Sequence, residues 1–214
     1  MPNDAPSLKV AATKGYGGNV IHFDRYSEDW EAIANGLLAK DPNIRLIPPY
    51  DDPHVVAGQA TIVKELIEEV GHLDKIFVPV GGGGVLAGSL LSARKLSPNC
   101  KLYGAEPFVS HAHQSMKAGK VVSISIPKSI ADGVQTQHLG RLPFAIIKKH
   151  AEHIVTVSDE DIIEEMKFTG ERLKMLCEPA GCLGLAALRK MAKMGLISHN
   201  DRVGIIVTGG NVDL

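Results

Sequence analysis

Residues 76 to 88 read IFVPVGGGGVLAG, an apolar run that ends in four consecutive glycines and resumes with small and apolar residues. Few architectures give such a run a place. The apolar part is short and β-branched, as a buried strand is, and the part after the glycines is small enough to pack closely as a helix. Glycines between a strand and a helix let the backbone approach a ligand, and the free amides of the following helix form a cradle for phosphate. A tight turn needing positive φ is the plainer alternative, although one or two glycines satisfy it.

The rest of the chain repeats the alternation. Strand-like runs occur at 19–23 (NVIHF), 44–47 (IRLI), 75–80 (KIFVPV), 101–105 (KLYGA), 153–157 (HIVTV) and 203–207 (VGIIV). Helical patterns lie between them: from a cap at Ser27 to about Ala39, from Pro53 to Val70, from Ser158 to Met175, and from Pro179 to Met194. Ser158 followed by Asp161 has the spacing of a capping box. The pattern predicts an α/β fold with a largely parallel open sheet flanked by helices. IPPYDDP, residues 47–53, places three prolines in seven residues and suggests a boundary between lobes, 1–52 and 53–214.

Composition narrows the partners. Lys and Arg total 23 against 24 Asp and Glu, a formal net charge of −1, so nothing favours nucleic acid or an anionic membrane surface. The uncharged stretch from Ile76 to Ala93 is too interrupted by Pro79, glycine and serine to span a bilayer. Cys100, Cys177 and Cys182 include no C-x-x-C pair, and the N-terminus shows no targeting segment, which together predict a cytoplasmic protein that binds small molecules.

Ligands of open α/β sheets collect outside the carboxyl ends of the strands. Two such ends carry unusual sequence here, GGGG at 81–84 and TGGN at 208–211. Gly82, Gly84 and Ala87 also satisfy G-x-G-x-x-A, and Glu106 ends the next strand where a dinucleotide fold places its ribose-binding acid, so an NAD site stands as an alternative.

VPVGGGGVLAG, YGAEP, SIADGVQTQHLG, CEPAG and TGGNVDL occur in the order seen in fold-type-II pyridoxal phosphate enzymes, and MPNDAPSLKVAATKGYGGNVI and IPPYDDPHVVAGQATI look like the same family. The chain resembles the serine/threonine dehydratase, serine racemase and threo-3-hydroxyaspartate dehydratase group, with a tryptophan-synthase-β-like fold. The resemblance implies pyridoxal 5'-phosphate as cofactor and an ammonia-lyase activity converting threonine, serine or 3-hydroxyaspartate to a 2-oxo acid and ammonia. It implies that Gly81, Gly82, Gly83, Gly84 and the amide of Val85 hold the phosphate, that Thr208 faces the pyridine nitrogen, and that Glu178 lies near the ring. A helix-entry carboxylate is the plainer role for Glu178.

Glu106 matches a glutamate that ligates a divalent cation, Mg or Mn, in many members of the group. Those members have a second carboxylate six residues on, where this chain has Ala112. His111 and His113 can in principle replace it, although two histidines one apart fit a surface loop. The group's Schiff-base lysine and the loop holding the substrate carboxylate are absent from this sequence, and Lys9, Lys14 and Lys75 read as surface charges. The resemblance therefore predicts an N-terminally incomplete chain that is inactive in isolation. Residues 1–52 are expected to be a remnant of the smaller lobe and 53–214 the cofactor-binding lobe, with a homodimer in the complete form or a companion chain supplying the rest. A catalytically dead module that binds cofactor or phosphate is the alternative.

Overall fold

A computed structural model describes residues 1–213. The chain divides into two compact units, Met1–Pro48 with the tail from Asn211, and Pro49–Gly210.

In the first unit, helix α1 (Ser7–Gly15) and helix α2 (Trp30–Leu38) are joined by loops. Pro6 offers α1 no capping side chain, and the Asp213 carboxylate takes that role, accepting from the amides of Ser7 at 3.2 Å and Leu8 at 3.1 Å. Helix α2 starts two residues later than the sequence suggests: Asp29 caps it by accepting from Glu31 N, while the Ser27 hydroxyl is bonded to Asp24 instead. The two runs expected here as strands are not strands. Phe23 makes a single bridge to Pro2, and residues 44–47 have no regular secondary structure, with Ile44, Leu46 and Ile47 exposed. A strand needs a neighbouring ladder, and none of the described residues supplies one to these two runs.

The second unit carries the sheet. Strands β1 (Lys75–Pro79), β2 (Lys101–Pro107), β3 (His153–Val157) and β4 (Val203–Ile205) lie in the order β3-β2-β1-β4 and are all parallel. Helices α3 (Pro53–Val70), α4 (Gly84–Leu96), α5 (Ala112–Ala118), α6 (Arg141–His150), α7 (Asp159–Phe168) and α8 (Pro179–Lys193) connect and cover it. Alternation along β1 divides the core: Ile76, Val78 and Val80 pack with Val63 of α3, Leu86 and Leu90 of α4 and Ile147 of α6. Phe77 points the other way, with Ile162 of α7 and Leu183 and Ala187 of α8. Both faces are buried, so the strand runs are continuously apolar.

Local sequence explains the helix ends. Asp52 accepts from His54 N at 2.8 Å and Val55 N at 3.2 Å, Pro53 takes the first turn of α3, and Gly71 closes it at φ 77°. Ser158 and Asp161 form the expected capping box on α7. That helix does not run on to Met175 as expected: it stops at Phe168, opens into a π turn over Thr169–Leu173, and ends at Lys174 with φ 57°. The Thr169 hydroxyl bonds back to Met166 O at 2.9 Å and Gly170 follows, a combination that loosens the ladder.

Candidate functional site

The carboxyl ends of β1 and β2 both run into a loop that opens a helix, and the two loops are built oppositely. After β1, Gly83 adopts φ 93° and ψ −1°, a left-handed conformation that turns the chain into α4. The first bond of that helix runs from Ala87 N to Gly83 O at 2.9 Å. The amides of Gly84, Val85 and Leu86 therefore lie outside the helical ladder, at the positive end of the helix.

Gly84 and Val85, but not Leu86, border a cavity of about 320 Å³. One wall is Gly81 to Val85; a second is Gly133, Val134 and Thr136; a third is Glu178, Ala180 and Thr208; Tyr50 and Gln59 complete it. Every residue expected at the phosphate and ring thus borders one space. Glu178 stands at the entry of α8 as its N-cap residue, and its side chain makes no capping bond to the helix. Its carboxylate packs on the backbone of the last loop, where a Cβ on Gly209 would lie 2.7 Å from Oε1.

The four glycines also answer to their protein neighbours. A Cβ on Gly82 would collide with the ring of Tyr50, one on Gly84 would lie 3.2 Å from Tyr50 Cβ, and one on Gly81 would lie 3.2 Å from Val134 Cα. At Gly83 it would meet Leu139 and Ile147 at 2.9 Å. Protein atoms thus crowd a Cβ at each of the four positions. The case for an anion rests on the open amides and the cavity they border, and these fit a phosphate group.

After β2 the helix start is filled from within. Glu106 is fully buried, at 0% exposure, and its carboxylate accepts from Ala112 N at 2.8 Å and His113 N at 2.7 Å, closing the first turn of α5. Burial pushes its pKa up to about 7, against the pull of the amides of His113, Ala112 and His111. Glu106 therefore has no face for a ribose, which removes the acid the NAD alternative needs.

A divalent cation does not fit there either. The expected second carboxylate is Ala112, which turns an N–H toward Glu106 where a cation needs oxygen. Among the described residues no group of three or more His, Cys, Asp or Glu side chains is placed to hold a metal. His111 is not on a surface loop: it is 1% exposed, with Nε2 2.9 Å from Thr136 Oγ1, and burial lowers its pKa to about 4. His113 is half-buried, edge-on to His153 with ring centroids 5.8 Å apart.

No lysine is among the residues that line the cavity. Lys75, at the amino end of β1, pairs with Asp201. Tyr50, Gln59 and Thr136 are lining residues that sequence reasoning left without a role. Tyr50 lies in the proline-rich segment taken as a boundary, and Thr136 in the SIADGVQTQHLG motif.

A family model described as pyridoxal-phosphate dependent enzyme matches residues 1–209. The chain belongs to this family. It is 53% identical to a serine racemase of Schizosaccharomyces pombe and 52% identical to an L-threo-3-hydroxyaspartate ammonia-lyase of Saccharomyces cerevisiae, in each case over 100% of this chain and 65% of the relative. The solved serine racemase of Dictyostelium discoideum superposes with a TM-score of 0.87 at 39% identity, over 100% of this chain and 68% of that one. The chain thus spans about 65% of the length of these curated relatives. The parallel sheet flanked by helices is the family's fold.

Proposed function

We propose that the protein is a pyridoxal phosphate-dependent ammonia-lyase of a β-hydroxy amino acid, and that these 214 residues supply the end of its site that holds the phosphate and ring. The observation that carries this is the cavity bordered together by Gly84 and Val85, whose amides lie outside the helical ladder, and by Glu178 and Thr208. The amides of the Gly81–Val85 turn bind the phosphate dianion at the positive end of α4. Thr208 would offer a neutral hydroxyl to the ring nitrogen, and Glu178 would lie near the ring. Bound there, pyridoxal phosphate supplies an electron sink for negative charge developing at the substrate's α-carbon. A hydroxyl, unlike a carboxylate, does not hold the ring nitrogen protonated, which suits loss of a β-substituent over deeper carbanion chemistry.

The relatives' names support a 3-hydroxy amino acid as substrate, 3-hydroxyaspartate first, with serine and threonine behind it. We propose the unit Pro49–Gly210 as the cofactor lobe and the unit Met1–Pro48 as part of the smaller lobe. Three free cysteines support a cytoplasmic setting, and among the described residues no helix is long and apolar enough to cross a membrane. Resemblance alone supports a homodimer.

Release of a 2-oxo acid and ammonia from L-threo-3-hydroxyaspartate, serine or threonine in the presence of pyridoxal phosphate tests the activity. Cofactor binding without turnover of any of the three would favour the second reading, a binding module, which the lack of a lysine among the lining residues supports. Absence of cofactor binding would remove both.

A further inference from the structure

The cofactor assignment leaves His111 without a task, yet the chain spends a buried imidazole on it. His111 lies between β2 and α5, 1% exposed, and its backbone is held on both sides. Its amide is directed at the Glu106 carboxylate, and its carbonyl accepts from Ser115 N at 2.8 Å and Ser115 Oγ at 2.9 Å. Nε2 lies 2.9 Å from Thr136 Oγ1, and Thr136 borders the cavity beside the glycine turn. One side-chain hydrogen bond therefore joins the closed loop after β2 to the open cavity after β1. Nδ1 is buried with no hydrogen-bond partner.

Burial keeps this imidazole neutral at ordinary pH, with a single N–H. A threonine hydroxyl has one hydrogen to give and two lone pairs to receive with. If Nδ1 carried the proton, an N–H would be buried without an acceptor and the Thr136 hydrogen would be consumed by Nε2. With the proton on Nε2, only a bare lone pair is left at Nδ1, and unpaired buried acceptors are tolerated more often than unpaired donors.

We propose that His111 is a positioning residue that donates Nε2–H to Thr136 Oγ1 and thereby turns the threonine's own hydrogen into the cavity, as a donor to an anionic oxygen bound there. The acceptor is a phosphate or a carboxylate oxygen. This rests on the cofactor site proposed above.

The test titrates the protein with pyridoxal phosphate and with inorganic phosphate, and titrates the pyridoxal phosphate-loaded protein with malonate as a carboxylate probe. Variants are His111→Leu, His111→Gln, Thr136→Val and the double variant His111→Leu/Thr136→Val, each with its melting temperature. His111→Leu and Thr136→Val should each weaken the same probe about tenfold, as loss of one hydrogen bond to an anion does. The double variant should be no weaker than either single one. His111→Gln, which returns an N–H near the Nε2 position, should recover most of the affinity. Weakened phosphate-bearing probes identify a phosphate acceptor, and weakened malonate a carboxylate. Unchanged affinity in His111→Leu, or losses that multiply in the double variant, would overturn the proposal while leaving the cofactor site intact. If His111→Leu does not fold, failure of the folded His111→Gln to match the unaltered protein while Thr136→Val loses affinity would overturn it equally. Failure of the unaltered protein to bind pyridoxal phosphate would overturn the cofactor site and this inference with it.

Discussion

The turns after β1 and β2 are neighbours at the same edge of the sheet, and they solve one problem in two ways. Each starts a helix whose first amides have no partner in the ladder. After β2 the chain brings its own anion, with Glu106 filling the turn. After β1 it brings none, and the amides of Gly84 and Val85 border a cavity instead. A helix start satisfied from within is architecture, whereas one left facing an enclosed space is a place for an external anion. The difference also accounts for the lack of fit between Glu106 and a cation: a carboxylate already held by amides has no free face to offer.

Glu106→Ala should break the closed turn most severely. It empties a buried volume and strands at least two buried amides, for a loss of about 4 kcal/mol by denaturant unfolding. Gly82→Ala should break the open turn with less damage to the fold. Its Cβ would displace the Tyr50 ring, costing about 2 kcal/mol, and should weaken pyridoxal phosphate at least tenfold in a direct titration.

Titration sharpens the contrast within the closed turn. Glu106 is held up near 7 from 4.5, so its contribution to stability is present below pH 4.5 and lost as pH rises through 7. His111 is held down near 4 from 6.5, so its contribution is present above pH 6.5 and lost as pH falls through 4. Each amounts to roughly 3 kcal/mol at full extent, at 1.4 kcal/mol per pH unit. Urea unfolding across this range should therefore show opposite slopes when Glu106→Gln and His111→Gln are each subtracted from the unaltered protein. The smallest expected effect is none at all: the melting temperature should not move with EDTA or added Mg²⁺, because the Glu106 carboxylate is already held by amides.

Much of this was legible from short-range pattern. The strands β1, β2 and β3, the Ser158 cap and the helices from Pro53 and Pro179 follow from neighbouring residues, and the structure has them where the pattern puts them. The runs at 19–23 and 44–47 carry the same β-branched signal and form no strand, since pairing is not a local property. Glu106 was singled out for its position, but its partners lie six and seven residues away in space-filling geometry that sequence spacing does not reveal. His111 looked like a loop residue because two histidines one apart carry no mark of burial. The glycine run does border a cavity, but its crowding by Tyr50, Val134, Leu139 and Ile147, remote in sequence, was not legible in it.

The most direct test of the open turn as a phosphate cradle is an equilibrium titration with pyridoxal phosphate, competed in turn by inorganic phosphate and by pyridoxal. Saturable binding that inorganic phosphate displaces, with pyridoxal far weaker than its phosphate ester, is the predicted result. Absence of saturable binding, or pyridoxal binding as tightly as pyridoxal phosphate, would contradict it.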